Sequence, residues 1–257
     1  MIGRISSLQH PLVKRLVKLR KSRKYRFDCK KLVLSGVKLV CEVCCDFEAE
    51  TLFVMEGTVP PPEVKAKKIL KATPNVMKKI SGLKSPENIL AEVPMPLESS
   101  LEEGRYIVVL DGLSDPGNLG TLLRTALAFS WDGAFIISNS VDAFNDKALS
   151  AARGAIFRLP FRLGKWEDVL SFVKEKNFSP FLADMEGESV ENVSFSKEEK
   201  VLLILGNESH GASIQAKEFC RKITIPISRN MESLNVAIAG GIIMCLWKHS
   251  LHAERLC

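Results

Sequence analysis

Apolar positions along the chain fall into helix-spaced and strand-like runs, and their order predicts the fold. Residues 5 to 20, "ISSLQHPLVKRLVKLR", set Leu12, Leu16 and Leu19 at helical spacing with basic residues between them, which predicts an amphipathic basic helix. In "KLVLSGVKLVCEV", Leu32, Val33 and Leu34 read as a short strand, Gly36 as a break, and residues 37 to 45 as a helix. A second strand, "TLFVM" at 51 to 55, and a basic helix near 62 to 80 complete a small α/β unit. "AEVPMPLESSLEEG", residues 91 to 104, carries two prolines, adjacent serines and several acids and reads as a linker, with a boundary near residue 97.

Beyond the linker, strand-like runs alternate with helical patterns: "YIVVL" at 106 to 110, "AFIIS" at 134 to 138, "FLAD" at 181 to 184, "VLLIL" at 201 to 205 and "ITIPI" at 223 to 227. "VLLIL" is apolar at every position, so its strand needs cover on both faces, and the helix-length intervals supply it. The expectation is a first domain over 1–97 and a second α/β domain over 98–257 with a mostly parallel sheet.

Composition narrows the class. A chain of 257 residues with 46% hydrophobic side chains can bury a sizeable core. Its longest apolar stretch, "VAIAGGIIMCLW" at 236 to 247, falls short of the roughly 20 residues a bilayer span needs. The basic start lacks an apolar signal core, so the expected location is the cytoplasm. Seven cysteines without paired metal-ligand spacing read as reduced thiols and predict no metal.

The net charge of +6 is unevenly spread. Residues 1 to 31 hold eleven basic side chains against Asp28 alone, a net of +10. A charge run is often only a solvated helix face, but concentration at one end favours a polyanion, with Lys14, Arg15, Lys18, Arg20, Lys21 and Arg23 as candidate RNA contacts.

Candidate chemistry sits in three loops that follow strands, where open parallel sheets bind ligands. These are "DGLSDPGN" at 111 to 118, "GNESHG" at 206 to 211 and "SRNMESLN" at 228 to 235. The first imitates a P-loop, but Asn118 and Leu119 stand where that motif requires Lys and Ser or Thr, and no GxGxxG is present. Asp111, Asn118 and Arg124 read as polar residues in a buried setting and need another explanation. Each loop alone fits ordinary turn and cap chemistry: Asn118 suits a helix cap, Glu208 an exposed position, and His210 has no evident partner.

In order and spacing the three loops resemble the motifs of the SpoU family of RNA ribose 2′-O-methyltransferases, within the SPOUT superfamily. The match runs from about 105 to 250 through "NLGTLLRTA", "LGNESHG" and "IPISRNMESLNVAIA", with "NDKALSAARGAIFRLPF" between the first two. More loosely, "LVLSGVKLV" and "SPENILAEVP" resemble the L30e-like substrate-binding domain carried by many members. Arg229 and Asn230 depart from the small residues usual before "ESLN", and Ser35 from the usual Glu before Gly36.

The resemblance implies a deep trefoil knot, a homodimer and S-adenosylmethionine as methyl donor. It places Asn118, Arg124, Glu208, Ser233 and Asn235 on the catalytic side, and Leu205, Gly206, Asn207, Ile225, Ile227, Leu234 and Asn235 around the donor. A guanidinium stays protonated at neutral pH, so Arg124 is expected to stabilise charge on the 2′-oxygen, with a base role left open and Glu208 holding Arg124 or another partner. Ribosomal RNA is favoured over transfer RNA as substrate. The alternative from another class is an RNA-binding ribosome-assembly protein without catalysis.

Overall fold

The computed structural model describes residues 3–196 and 198–253. It divides into two compact units, one of residues 1–97 with 142–157, the other of 98–141 with 158–257.

In the first unit the chain runs through β1 (Gly3–Ile5), α1 (Pro11–Lys21), α2 (Arg23–Cys29), β2 (Lys31–Ser35), α3 (Val37–Cys44), β3 (Thr51–Met55), β4 (Ile69–Ala72), α4 (Pro74–Ser81) and β5 (Ile89–Pro94). The sheet order is β1-β4-β3-β5-β2, parallel from β1 to β3 and antiparallel across β5. Helix α1 begins at Pro11, with fixed φ and no N–H to lose, and turns Val13, Leu16 and Leu19 into the core. Leu12, assigned to the apolar stripe from spacing, is only half-buried.

Two expectations fail here. The basic helix near 62 to 80 is a helix only from Pro74, because Ile69–Ala72 pairs with β3 and β1 as a strand and the prolines at 60–62 cannot propagate a helix. The stretch read as linker from 91 begins inside β5, an interior strand with Leu90 to Val93 buried. Its acid, Glu92, is 1% exposed and accepts from Arg15 at 2.6 Å, which lets a carboxylate sit in a sheet interior.

The second unit contains β6 (Tyr106–Leu110), α5 (Pro116–Ala128), β7 (Gly133–Ile137), β8 (Phe161–Gly164), α7 (Trp166–Lys176), β9 (Phe178–Ser189), β10 (Lys200–Leu205), α8 (Ile214–Phe219), β11 (Arg221–Thr224) and α9 (Val236–Ala253). The interposed α6 (Asp146–Ala152) belongs to the first unit. All six strands are parallel, in the order β11-β9-β10-β6-β7-β8. Strand β10 lies between β9 and β6 and is buried from Val201 to Leu205, as its unbroken apolar run requires. The strand expected over 223 to 227 ends at Thr224, since Pro226 cannot donate to a ladder.

Helix α9 closes on α5 and β10 through Gly240. A Cβ there would meet Leu205 Cδ1 at 2.5 Å and Leu122 Cδ2 at 2.6 Å, so only glycine allows the approach.

Candidate active site

The three loops converge beyond the C-terminal ends of β6, β10 and β11. The turn after β6 passes Gly112 at φ +71°, left-handed backbone suited to glycine, and enters α5. Asp115, not Asn118, caps that helix: its Oδ1 accepts the Asn118 N–H at 2.8 Å. The Asn118 side chain is thereby released for another partner.

That partner is Glu208. Its carboxylate accepts from Asn118 Nδ2 at 2.9 Å, from Ser114 Oγ at 2.9 Å and from the Ser114 N–H at 3.1 Å. Asn118 Oδ1 in turn accepts from Asn235 Nδ2 at 3.1 Å, so one chain of hydrogen bonds ties the second loop to the first and the first to the third. Burial pushes the Glu208 carboxyl up, but the hydrogen bonds from Asn118 and Ser114 outweigh it and hold the group below the ordinary carboxylate value. Ser114 had no sequence signal beyond its place in a turn.

The second loop is braced from within. Asn207 and Gly211 exchange two backbone hydrogen bonds at 3.0 Å each. Asn207 Nδ2 donates to the Gly112 carbonyl at 2.7 Å, and its Oδ1 accepts from the N–H groups of Ser209 and His210. His210, without an evident partner in sequence, sets Nδ1 3.2 Å from that same oxygen. Asn207 therefore braces the loop with its side-chain amide.

A cavity of about 700 Å³ opens beside this network, within the size range of small-molecule sites. Leu205, Gly206, Asn207, Ile225, Ile227, Leu234 and Asn235 all line it, as do Asn118, Glu208 and Ser233. Ile225 and Ile227, on either side of Pro226, give it an apolar wall. Asp184, Glu186, Lys217 and Lys222 add charge that motif reading missed, although "FLAD" ended on Asp184. Lys222 pairs with Glu186 at 3.0 Å and Asp184 at 3.6 Å, which raises its pKa and keeps it cationic.

Arg124, expected in a buried setting, is exposed and does not line the cavity, and of the partners left open for Glu208 the structure supplies Asn118 and Ser114. At 3.6 residues per turn, the six-residue step from Asn118 is about one and two-thirds turns, which carries Arg124 off the face that Asn118 presents. Of the other two polar residues expected to be buried, Asp111 is 1% exposed and Asn118 is half-buried.

Among the candidate RNA contacts, Arg15 pairs with buried Glu92, and Arg20 Nε donates to the Ile80 carbonyl at 2.8 Å and sits 3.6 Å from Asp146. Lys14, Lys18, Lys21 and Arg23 are exposed, Lys18 lying over the Tyr25 ring at 4.2 Å and Arg23 over Phe27 at 5.7 Å.

Residues 105–245 match the SpoU rRNA Methylase family and residues 10–91 the MRM3-like substrate binding domain. The chain is 24% identical over 288 residues to rRNA methyltransferase 3A, mitochondrial, of Danio rerio, covering 90% of this chain. It is 32% identical over 169 residues to the 23S rRNA (guanosine(2553)-2′-O)-methyltransferase RlmP of Bacillus subtilis, covering 64% of this chain. In each case it spans 66% of the relative's length. Among solved structures, the AdoMet-bound rRNA methyltransferase from Sinorhizobium meliloti superposes with a TM-score of 0.84 at 25% identity, over 97% of this chain and 98% of that one.

Proposed function

The chain belongs to the SpoU rRNA methylase family, and from that premise we propose that it transfers a methyl group from S-adenosylmethionine to a ribose 2′-hydroxyl of RNA, with ribosomal RNA as the substrate class. The observation that carries the reading is the joining of Asn118, Glu208 and Asn235 in one hydrogen-bonded chain at the wall of a cavity of donor size. The names of the relatives, both rRNA methyltransferases, support the substrate class.

The residues present fit the donor. Leu205, Ile225, Ile227 and Leu234 offer apolar walls for a purine, and Asp184, Glu208 and Lys217 offer charges for an amino-acid end. When bound, S-adenosylmethionine supplies a methyl group made electrophilic by the sulfonium. Asn118 and Asn235 orient polar groups at the cavity wall, Glu208 fixes Asn118, and Ser233 offers a hydroxyl to phosphate or donor. Excluding water helps, because opposite charges cancel as the transfer proceeds.

Arg124 stabilises the developing 2′-oxyanion in this reading, and a homodimer is what brings it to a cavity. Support comes from α9, where Ile238, Ile242 and Leu246 stand exposed at four-residue spacing, a stripe that a second copy covers. The implied trefoil knot rests on the family match. Lys14, Lys18, Lys21 and Arg23 carry the phosphate contacts, and an odd number of cysteines supports a reducing cytoplasm.

The test is chemical. Alkaline cleavage of RNA needs a free 2′-hydroxyl, so label from radioactive donor is expected in one alkali-resistant linkage. Label recovered wholly in mononucleotides with a methylated base would replace ribose by base as the acceptor.

A further inference from the structure

Asp111 is a nearly fully buried carboxylate, 1% exposed, that the reaction as read above does not use. It follows the last residue of β6, and its N–H donates to the carbonyl of Leu205, the last residue of β10, at 2.9 Å. Its Oδ1 accepts from Trp166 Nε1 at 3.0 Å and its Oδ2 from the Ser213 N–H at 2.9 Å. Leu205 and Ser213 bracket the second loop, so one residue holds both of its ends.

The loop between them leaves little slack. A Cβ on Gly206 would meet Ala212 backbone at 2.6 Å, so the two limbs lie against each other next to the Asp111 anchor. Gly206, Asn207, Glu208, Gly211 and Ala212 all line the donor cavity. A displaced Ser213 therefore moves cavity wall directly.

We propose that Asp111 is a positioning residue for the donor site: by accepting the Ser213 amide it closes the base of the 206–213 loop and sets donor affinity. The proposal rests on the methyltransferase reading for the identity of the ligand, but not for the loop mechanics. Asp111→Asn is nearly isosteric, yet it has one acceptor oxygen for two donors and turns an NH₂ toward one of them. In either orientation the Ser213 amide loses its charged acceptor, keeping a weaker neutral carbonyl or meeting the NH₂, and that loss reaches affinity through the loop.

The experiment uses the full chain and compares S-adenosylmethionine affinity by calorimetry with amide hydrogen exchange at Asn207, Gly211 and Ser213. D111N is expected to weaken donor binding about tenfold, to raise the donor KM far more than it lowers kcat, and to speed exchange at all three amides. W166F removes the other hydrogen bond to the carboxylate and is expected to bind donor as wild type. Should D111N not fold, Ser213→Pro deletes the amide at a φ of −60° that proline accepts, with Ser213→Ala controlling for the lost hydroxyl cap. Wild-type affinity and exchange in folded D111N, or equal losses in S213P and S213A, overturn the proposal. A wild-type protein that takes up no S-adenosylmethionine overturns the donor reading instead, and the exchange rates still decide Asp111.

Discussion

The helix pair α1–α2 and the loop cluster beyond β6, β10 and β11 are both crowded with polar side chains, yet they use them in opposite ways. In the helix pair, Arg15, Arg20 and Arg26 are turned into structure: Arg26, 4% exposed, donates to the carbonyls of Leu19 and Arg20 and to Asp142. Cation density there overstates what is available to a ligand. In the loop cluster the side chains satisfy one another by hydrogen bonds among Asn, Ser and Glu, and the result is an open cavity with fixed walls. Charge in a sequence is a supply, and the partners that the fold provides decide how much remains for binding.

The sharpest separation of the two regions comes from Arg124→Ala. Because Arg124 lies off the donor cavity, its loss is expected to cut methyl transfer by roughly 10³-fold, the scale of removing a group that stabilises a developing oxyanion, with donor affinity kept within a few-fold. Single-turnover rates and calorimetry check this, and parallel losses would move Arg124 into the donor pocket.

The reverse outcome is expected in the first unit. Arg26→Ala leaves Asp142 and two carbonyls without their partner, at about 3 kcal/mol of stability, read by denaturant unfolding. Donor affinity of the protein that stays folded is unchanged. A variant as stable as wild type would show that Arg26 is dispensable structure.

Replacing Lys14, Lys18, Lys21 and Arg23 together by Gln is expected to weaken RNA binding while leaving stability near wild type. If all four meet phosphates, the slope of log affinity against log salt flattens by about 3. The same slope after substitution would assign them to a solvated face. Smallest is the pH effect at Glu208. Its native pKa is depressed, so its contribution to loop stability is full above the unfolded carboxylate value and fades as pH falls through the lower native one. Glu208→Gln is expected to remove that acid-side dependence, measured by exchange of the Ser114 amide.

Much of the second unit was legible in sequence because its strands are runs of apolar residues that must be covered on both faces: "YIVVL" is β6 residue for residue, and "VLLIL" forms all of β10 but its first residue. Short edge strands were not. Gly3–Ile5 and Phe161–Gly164 are too short to show a period and exist because a neighbour pairs with them. Strand β5 hid behind Glu92 and two prolines, signals that pairing with β2 and β3 overrides, with Arg15 as partner for the buried acid. At the site, residues lining the cavity were found through motif order, whereas Ser114 and Asp111 owe their roles to partners far along the chain.

Sequence alone therefore determined what local periodicity and residue order carry: alternating strand and helix, three polar loops at strand ends, and a cationic start. The tertiary structure decided everything that depends on which distant segments meet. It placed β10 between β9 and β6, gave residues 142–157 to the first unit, and withdrew Arg15, Arg20 and Arg26 into internal pairs. The physical reason is that a helix or strand is set by neighbours a few residues off, while pairing, burial and charge neutralisation are set by contacts whose partners no local pattern names.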